Sequence, residues 1–394
     1  MKLTKTFNPV RDTYLPYGRQ WIDEEDIEAV VSVLKGDYLT TGPAINEFER
    51  KVAEYVGAKY AVTFANGTAA LHGACFAAGI GTGDEVITTP MTFAASANCI
   101  LYQDGIPVFV DINESTYNID VNKIENKITK RTKAIIPIDF TGQPADLKKI
   151  LDIAKKYNLI VIEDAAHALG ATYKNEKIGS ISDMTMFSFH PVKHITSGEG
   201  GIIVTNNEDY YERLLQFRSH GITRDVDKLK ENHGPWYYEM QFLGYNYRMT
   251  DIQAVLGSSQ LQKLDMFIEK RKKIVAKYNE AFAGIPQIII PFQNTEGESS
   301  WHLYIIRLNL NKLSVGRKEI FEALQKHNIG VNVHYIPVHL QPYYQQLGYV
   351  KGSLPYAERL YEEIISLPLF PGMTEQDVKD VIVAVQRTME IYAK

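Results

Sequence analysis

Cysteine is nearly absent from this chain. Cys75 and Cys99 are the only two in 394 residues, and both lie in apolar segments with a helical period. They read as small buried hydrophobes in a reducing compartment rather than as a disulfide or a metal pair. No apolar run approaches the ~18 residues of a membrane-crossing helix. The opening run from Met1 to Pro9 lacks the apolar core of a secretory signal, so a cytoplasmic location is expected. Charge of one sign is never concentrated. The net charge of −5 gives no reason to expect a nucleic acid or an anionic membrane as partner. Three motifs are also missing: a Gly-x-Gly-x-x-Gly after a strand, a Walker loop and a Gly-x-Ser-x-Gly elbow.

What is present is an ordinary globular balance, 45% hydrophobic and 23% charged, with no internal repeat or low-complexity tract. Short apolar runs at residues 60–65, 85–89, 107–111, 133–139, 159–163, 184–189 and 201–205 alternate with helical patterns such as 146–157. Continuous rather than alternating hydrophobicity fits strands covered on both faces. Alternation of strand and helix predicts a mostly parallel, seven-stranded α/β sheet. Helices are expected at 23–34 and 44–56. Near residue 250 the pattern changes. Thr250 should cap a long helix to about residue 283, interrupted at Gly257. A strand at 303–308, a helix at 317–328, a strand near 331–335 and a last helix capped by Thr374 follow. The expected division is a large α/β domain, 1–250, and a connecting helix with a small α+β domain, 251–394.

Lys193 stands in the run Ser-Phe-His-Pro-Val-Lys-His-Ile-Thr-Ser-Gly-Glu-Gly-Gly, residues 188–201, between two apolar strands. A lysine in such a pocket loses its proton readily and becomes a nucleophile for Schiff-base chemistry. A solvated loop lysine is the other reading, and the run alone leaves both open. Open parallel sheets bind ligands beyond the carboxyl ends of their strands, and three further features fall there. Asn66-Gly67-Thr68 turns from a strand into a helix, presenting free N–H groups to a phosphate. Asp164 ends the strand Ile162-Glu163-Asp164, where a carboxylate requires a positive partner such as a protonated pyridine nitrogen. Phe93 follows a strand and could stack on a flat ring.

Singly these are a capped turn, a helix-capping acid and a core aromatic. Jointly they supply every part needed to hold pyridoxal 5′-phosphate. Gly67, Thr68 and Ser188 would take the phosphate, Phe93 and Ala166 the two ring faces, Asp164 the pyridine nitrogen, His167 the ring hydroxyl and Lys193 the aldehyde carbon. Metal is disfavoured. Pro191 spoils a helical pairing of His190 with His194, and His334 and His339 have no acid or cysteine beside them. Tyr335, Tyr343 and Tyr344 around that second pair would suit a polar ligand such as a sugar or base.

The ordered set Gly-Arg-Gln (18–20), Leu-Thr-Thr-Gly-Pro (39–43), Asn-Gly-Thr-Ala-Ala-Leu (66–71), Glu-Asp-Ala-Ala-His-Ala-Leu-Gly (163–170), Ser-Phe-His-Pro-Val-Lys (188–193), Gly-Glu-Gly-Gly (198–201) and Gly-Tyr-Asn-Tyr-Arg-Met-Thr-Asp (244–251) resembles the DegT/DnrJ/StrS family of nucleotide-sugar aminotransferases. Residues 188–196, 217–222 and 234–240 are most similar to its pseudaminic-acid branch, which aminates C4 of a UDP-4-keto-6-deoxy-N-acetyl-altrosamine precursor. The resemblance implies an aspartate-aminotransferase-like fold (pyridoxal-phosphate fold type I) and a homodimer with shared active sites. It implies that Lys193 and Asp164 are catalytic, and that Asn246 reaches the partner subunit's cofactor phosphate. Tyr17, Thr40, Thr41, His334 and Tyr335 match positions expected to touch the nucleotide sugar, and glutamate is the implied donor. Many relatives carry Gln at the place of His167, and some replace the lysine with His and act as dehydratases. Lys193 favours transamination. A family member acting on another sugar, and a non-catalytic sensor on the same fold, are the alternatives.

Overall fold

The computed structural model describes residues 8–394; the first seven positions of the run read for a signal lie outside them. All seven expected strands form one sheet: β1 (Tyr60–Phe64), β2 (Glu85–Thr88), β3 (Ile106–Phe109), β4 (Thr132–Ile136), β5 (Ile160–Asp164), β6 (Met184–Ser188) and β7 (Gly201–Thr205). Their spatial order is β1-β7-β6-β5-β4-β2-β3. The pairs β2–β3, β2–β4, β4–β5 and β5–β6 are parallel, whereas β7 runs antiparallel to both β6 and β1. The reason is the connection. A parallel return needs a crossover, usually a helix, and residues 189–200 hold none. The lysine-bearing run is therefore a direct return loop between neighbouring strands.

The unbroken hydrophobicity of the strands is explained by two cores. On one face Ile87, Ile135 and Val161 meet Phe48, Val52 and Val56 of α2 (Pro43–Val56) and Ile150 and Ala154 of α5 (Leu147–Tyr157). On the other face Val86, Ile136 and Ile162 meet α3 (Gly67–Ala77), α4 (Ala95–Leu101) and α6 (Glu208–Phe217), through Leu71, Cys75, Cys99, Leu214 and Phe217. Both cysteines are free and buried. An N-terminal helix α1 (Glu24–Leu34) carries a capping box built on Asp23 and Asp26.

The expected long helix after Thr250 is two helices. Thr250 does cap the first, α7 (Asp251–Leu261), but the chain pauses at Gln262 and Lys263 before α8 (Leu264–Phe282). At this junction Gln260 donates to the fully buried Asp26 at 2.6 Å, and the Lys263 ammonium lies 3.1 Å from the same carboxylate. Gly257 does not interrupt the helix. A Cβ there would sit 2.6 Å from the Phe48 ring, so the glycine admits the close packing of α7 on α2.

A third core surrounds a small antiparallel sheet, β8 (Ile288–Ile289), β9 (Tyr304–Leu308) and β10 (Ile364–Leu367), in the order β8-β9-β10. Against it pack α8, α9 (Arg317–Lys326) and the last helix, Glu375–Tyr392, whose cap is Thr374. The strand expected near 331–335 is not formed. Asn332 alone bridges to Ser366, and the His334 ring reaches the Ser366 hydroxyl at 2.8 Å. Among the described residues no helix is long and apolar enough to cross a membrane, and no histidine, cysteine or acid cluster could hold a metal ion.

Candidate active site

The carboxyl ends of β1, β2, β5 and β6 converge on one cavity of about 940 Å³. After β1, Asn66 caps α3. Its side-chain oxygen accepts the Ala69 N–H at 2.9 Å and its carbonyl accepts the Ala70 N–H at 3.1 Å. The N–H groups of Gly67 and Thr68, in the first helical turn, are left for a ligand. Ser188, closing β6, abuts this turn: a Cβ on Gly67 would lie 3.4 Å from the Ser188 Cβ. Beneath it Gly201 has no room for a side chain, since a Cβ there would come within 2.5 Å of the Asn66 carbonyl. A glycine pair thus shapes an anion cradle from two strand ends.

Lys193 projects from the return loop into the same cavity. The loop is braced at several points: Phe189 N–H donates to the Gly200 carbonyl at 2.9 Å, Lys193 N–H to the His190 carbonyl at 2.9 Å, and the Thr196 hydroxyl to the Phe189 carbonyl at 3.0 Å. Neighbouring His194 reaches the Ser300 carbonyl through Nε2 at 3.0 Å, which occupies it structurally. Burial lowers the Lys193 amine from 10.5 to about 8, against the pull of the Asp164 charge. An appreciable fraction is then neutral near physiological pH.

Asp164 is buried at the tip of β5. Its Oδ2 accepts the Ser96 hydroxyl at 2.6 Å and its Oδ1 accepts the Ala166 N–H at 3.2 Å. Burial raises its pKa, while Ser96, Ala166 and Lys193 all favour the charged form. Two donors leave carboxylate lone pairs free for a further N–H.

His167 contacts the Tyr335 hydroxyl through Nε2 at 3.1 Å and lies 4.3 Å, centroid to centroid, from His302. The Nδ1 atoms of both rings are buried without a partner among the described residues. Burial first, then the Lys193 charge, pushes both imidazoles well below the ordinary histidine range, so both are neutral. The His334 ring lies 5.3 Å from that of Tyr17, tilted by 55°, and is pushed down to about 3, chiefly by burial. Phe93 is 61% exposed at the cavity mouth, its ring 6.1 Å from that of Tyr335.

The cavity therefore brings together Lys193, Asp164, Gly67, Thr68, Phe93, Ala166, His167, Ser188, Tyr17, His334 and Tyr335. Thr40 and Thr41 are exposed beside the start of α2, Thr40 bridging to Thr250. Asn246 is exposed on the segment that bridges to Ser219; these three do not line the cavity. Ser96 and His302 do line it, and sequence reasoning missed both. No local signal marks either one, because their roles come from contacts across the fold. No arginine lines the cavity; its cationic side chain among the described residues is Lys193.

This donor set fits pyridoxal phosphate on structural grounds. The cradle has free N–H groups, Asp164 has unused acceptor capacity, and the orphaned His167 Nδ1 awaits a hydrogen-bond partner. The model of the DegT/DnrJ/EryC1/StrS aminotransferase family matches residues 20–386. The spore coat polysaccharide biosynthesis protein SpsC of Bacillus subtilis is 44% identical over 378 residues, 95% of this chain and 97% of that protein. PseC of Helicobacter pylori, an aminotransferase involved in the biosynthesis of pseudoaminic acid, superposes with a TM-score of 0.90 at 34% identity, covering 96% of this chain and all of that one. The putative sugar aminotransferase Spr1654 from Streptococcus pneumoniae, in its PMP form, gives 0.90 and 34%, with 96% and 99% covered.

Proposed function

We propose that this chain, which belongs to the DegT/DnrJ/EryC1/StrS aminotransferase family, moves an amino group from glutamate to the C4 keto carbon of a UDP-4-keto-6-deoxy-N-acetylhexosamine, as in pseudaminic-acid biosynthesis. The chain is a pyridoxal-phosphate-dependent sugar aminotransferase of fold type I. The observation that carries the reading is one amine of lowered pKa, Lys193, sharing a buried cavity with Asp164. The choice of sugar is supported by the PseC likeness across 96% of the chain.

Pyridoxal phosphate supplies an aldehyde that takes up amines and an electron-poor ring that spreads developing negative charge. Lys193 would hold that aldehyde carbon, and its Nζ, when free and neutral, would move protons to and from the carbon that loses or gains the amino group, the donor's α-carbon or the sugar's C4. A base with pKa about 8 is matched to such shuttling, because it is neither locked charged nor too weak to accept a proton. Asp164 would keep the ring nitrogen protonated by accepting its N–H. Gly67, Thr68 and Ser188 would hold the phosphate, Phe93 and Ala166 would cover the ring faces, and His167 would orient the ring hydroxyl. Tyr17, His334 and Tyr335 line the path of the nucleotide sugar.

Asn246, Thr40 and Thr41 complete the site from a second copy of the chain, in a homodimer with shared active sites. In this reading residues 1–250 form the cofactor domain and 251–394 the connecting helices and small domain. The donor carboxylate then finds its cation outside the cavity's own lining.

The test is a screen of 4-keto nucleotide sugars against enzyme pre-loaded with amino groups by glutamate, read as return of the cofactor's aldehyde-form absorbance. Return with the UDP-4-keto-6-deoxy-N-acetylhexosamine, and a product mass showing an amine in place of the ketone, is expected. Turnover of only other keto sugars, or loss of water without amine gain, overturns the assignment.

A further inference from the structure

Two carboxyl groups lie directly behind Asp164 and take no part in the scheme above. Asp139 follows β4 and Glu163 precedes Asp164 on β5; neither exposes any surface to solvent. Successive strand residues point to opposite faces, so Glu163 turns away from the cavity that Asp164 faces. The backbone ties the two sites together, since Asp139 N–H donates to the Asp164 carbonyl at 3.1 Å.

The hydrogen bonding of the pair is incomplete in a telling way. Asp139 Oδ1 accepts the Ala145 N–H at 2.8 Å, and Glu163 Oε2 accepts the Thr185 hydroxyl at 2.9 Å. The remaining oxygens, Asp139 Oδ2 and Glu163 Oε1, receive no N–H or O–H donor among the described residues, yet the two side chains are within hydrogen-bonding reach of one another. The Ser182 hydroxyl lies beside the same glutamate, and the Asp164 charge bears on both groups. Two acceptors buried face to face are stable only when one carries a proton.

We propose that Asp139 and Glu163 hold one proton between them and so act as a positioning pair that leaves Asp164 the ionised carboxylate at the cavity. The proton resides on Asp139 Oδ2 and is donated to Glu163, whose charge the Thr185 hydroxyl also stabilises. Were all three acids ionised, three like charges would crowd one strand end. Asp164, already disfavoured as an ion by its burial, would then take up a proton. A neutral acid cannot serve as counter-ion to a protonated ring nitrogen. The shared proton removes one charge from the cluster at a place that ligand never touches.

The inference rests on Asp164 as partner of the cofactor's ring nitrogen, and not on the identity of the sugar. Its first test needs neither cofactor nor substrate. Infrared spectra of the cofactor-free protein at neutral pH should show the carbonyl stretch of a protonated carboxylic acid, shifted by isotopic labelling of the aspartate side-chain carboxyl and lost in Asp139→Asn. The second test uses holoenzyme. In Asp139→Asn an amide N–H replaces the acid O–H at unchanged pair charge, so the pH midpoint of the bound cofactor's visible absorbance should stay where it is. Asp139→Asn/Glu163→Gln removes the pair's single charge, and the midpoint should move toward acid. A wild-type spectrum without the labelled band, or a midpoint that moves as far in the single variant as in the double, overturns the proposal.

Discussion

Lys193 meets two opposing demands, because the burial that makes its amine reactive also makes its charge costly. The amine is depressed from 10.5 to about 8, a difference corresponding to about 3 kcal/mol between its two protonation states. The unfolded chain then binds more protons than the folded one between those values. Stability of the cofactor-free protein should rise with pH across that window, and the penalty should be fully present below pH of about 8. Lys193→Met removes the titrating group. Urea unfolding should show the variant more stable than wild type at neutral pH, with the gap closing toward pH of about 10.5; a gap independent of pH would refute this. Ser96 gives a second prediction at the same scale. A hydrogen bond to a charged group contributes about 1.5–3 kcal/mol, so Ser96→Ala should weaken cofactor binding roughly tenfold or more, with the circular dichroism of the fold unchanged. Equal affinity in a fluorescence titration would show that Asp164 does not depend on the 2.6 Å contact. These two residues also mark how far the site was legible. Lys193 and Asp164 stand out because strand ends and loop composition single them out locally. Ser96 and His302 do not, since each matters only through partners far away in the chain.

At the scale of elements, the seven strands of the large sheet were legible because each is an apolar run between two cores. Helix boundaries were legible where a side chain caps its own helix, as Thr374 does. What escaped was set by tertiary partners. The break between α7 and α8 coincides with Gln260 and Lys263 turning to Asp26 of α1, which no local pattern encodes. Gly257 was misread as an interruption because its reason for being glycine is the Phe48 ring of another helix. Two effects oppose each other in Gly257→Ala. Helix propensity favours alanine by up to about 1 kcal/mol, whereas forcing a methyl against a packed ring costs about 1–3 kcal/mol. The second should win, lowering the urea midpoint without loss of helix content. A raised midpoint would show that the α2–α7 contact yields easily.

For the molecule as a whole, α1 carries an apolar stripe on its outer side. Ile27, Val31 and Leu34, at helical spacing, are 46%, 38% and 55% exposed, and Tyr38 and Leu39 continue the patch. Such a contiguous patch is uncommon on a monomer, and the proposed homodimer would cover it. Leu34→Asp should shift the sedimentation profile toward monomer and lower the activity more at low protein concentration than at high. Unchanged sedimentation would place the dimer contact elsewhere.

Arg271 has a wider consequence. It is buried in α8, and one of its terminal nitrogens reaches three backbone carbonyls, those of Trp301, His302 and Leu369, at 3.3, 3.2 and 2.8 Å, while His194 of the lysine loop grips the Ser300 carbonyl next door. The segment that presents His302 is thus sewn at once to the long helix and to the loop that carries the reactive amine. A swinging lobe that opens and closes over its substrate would have to tear that seam on every turnover. The exposed Phe93 ring at the mouth stands outside that seam, so changes at the rim can alter what enters while the floor stays fixed.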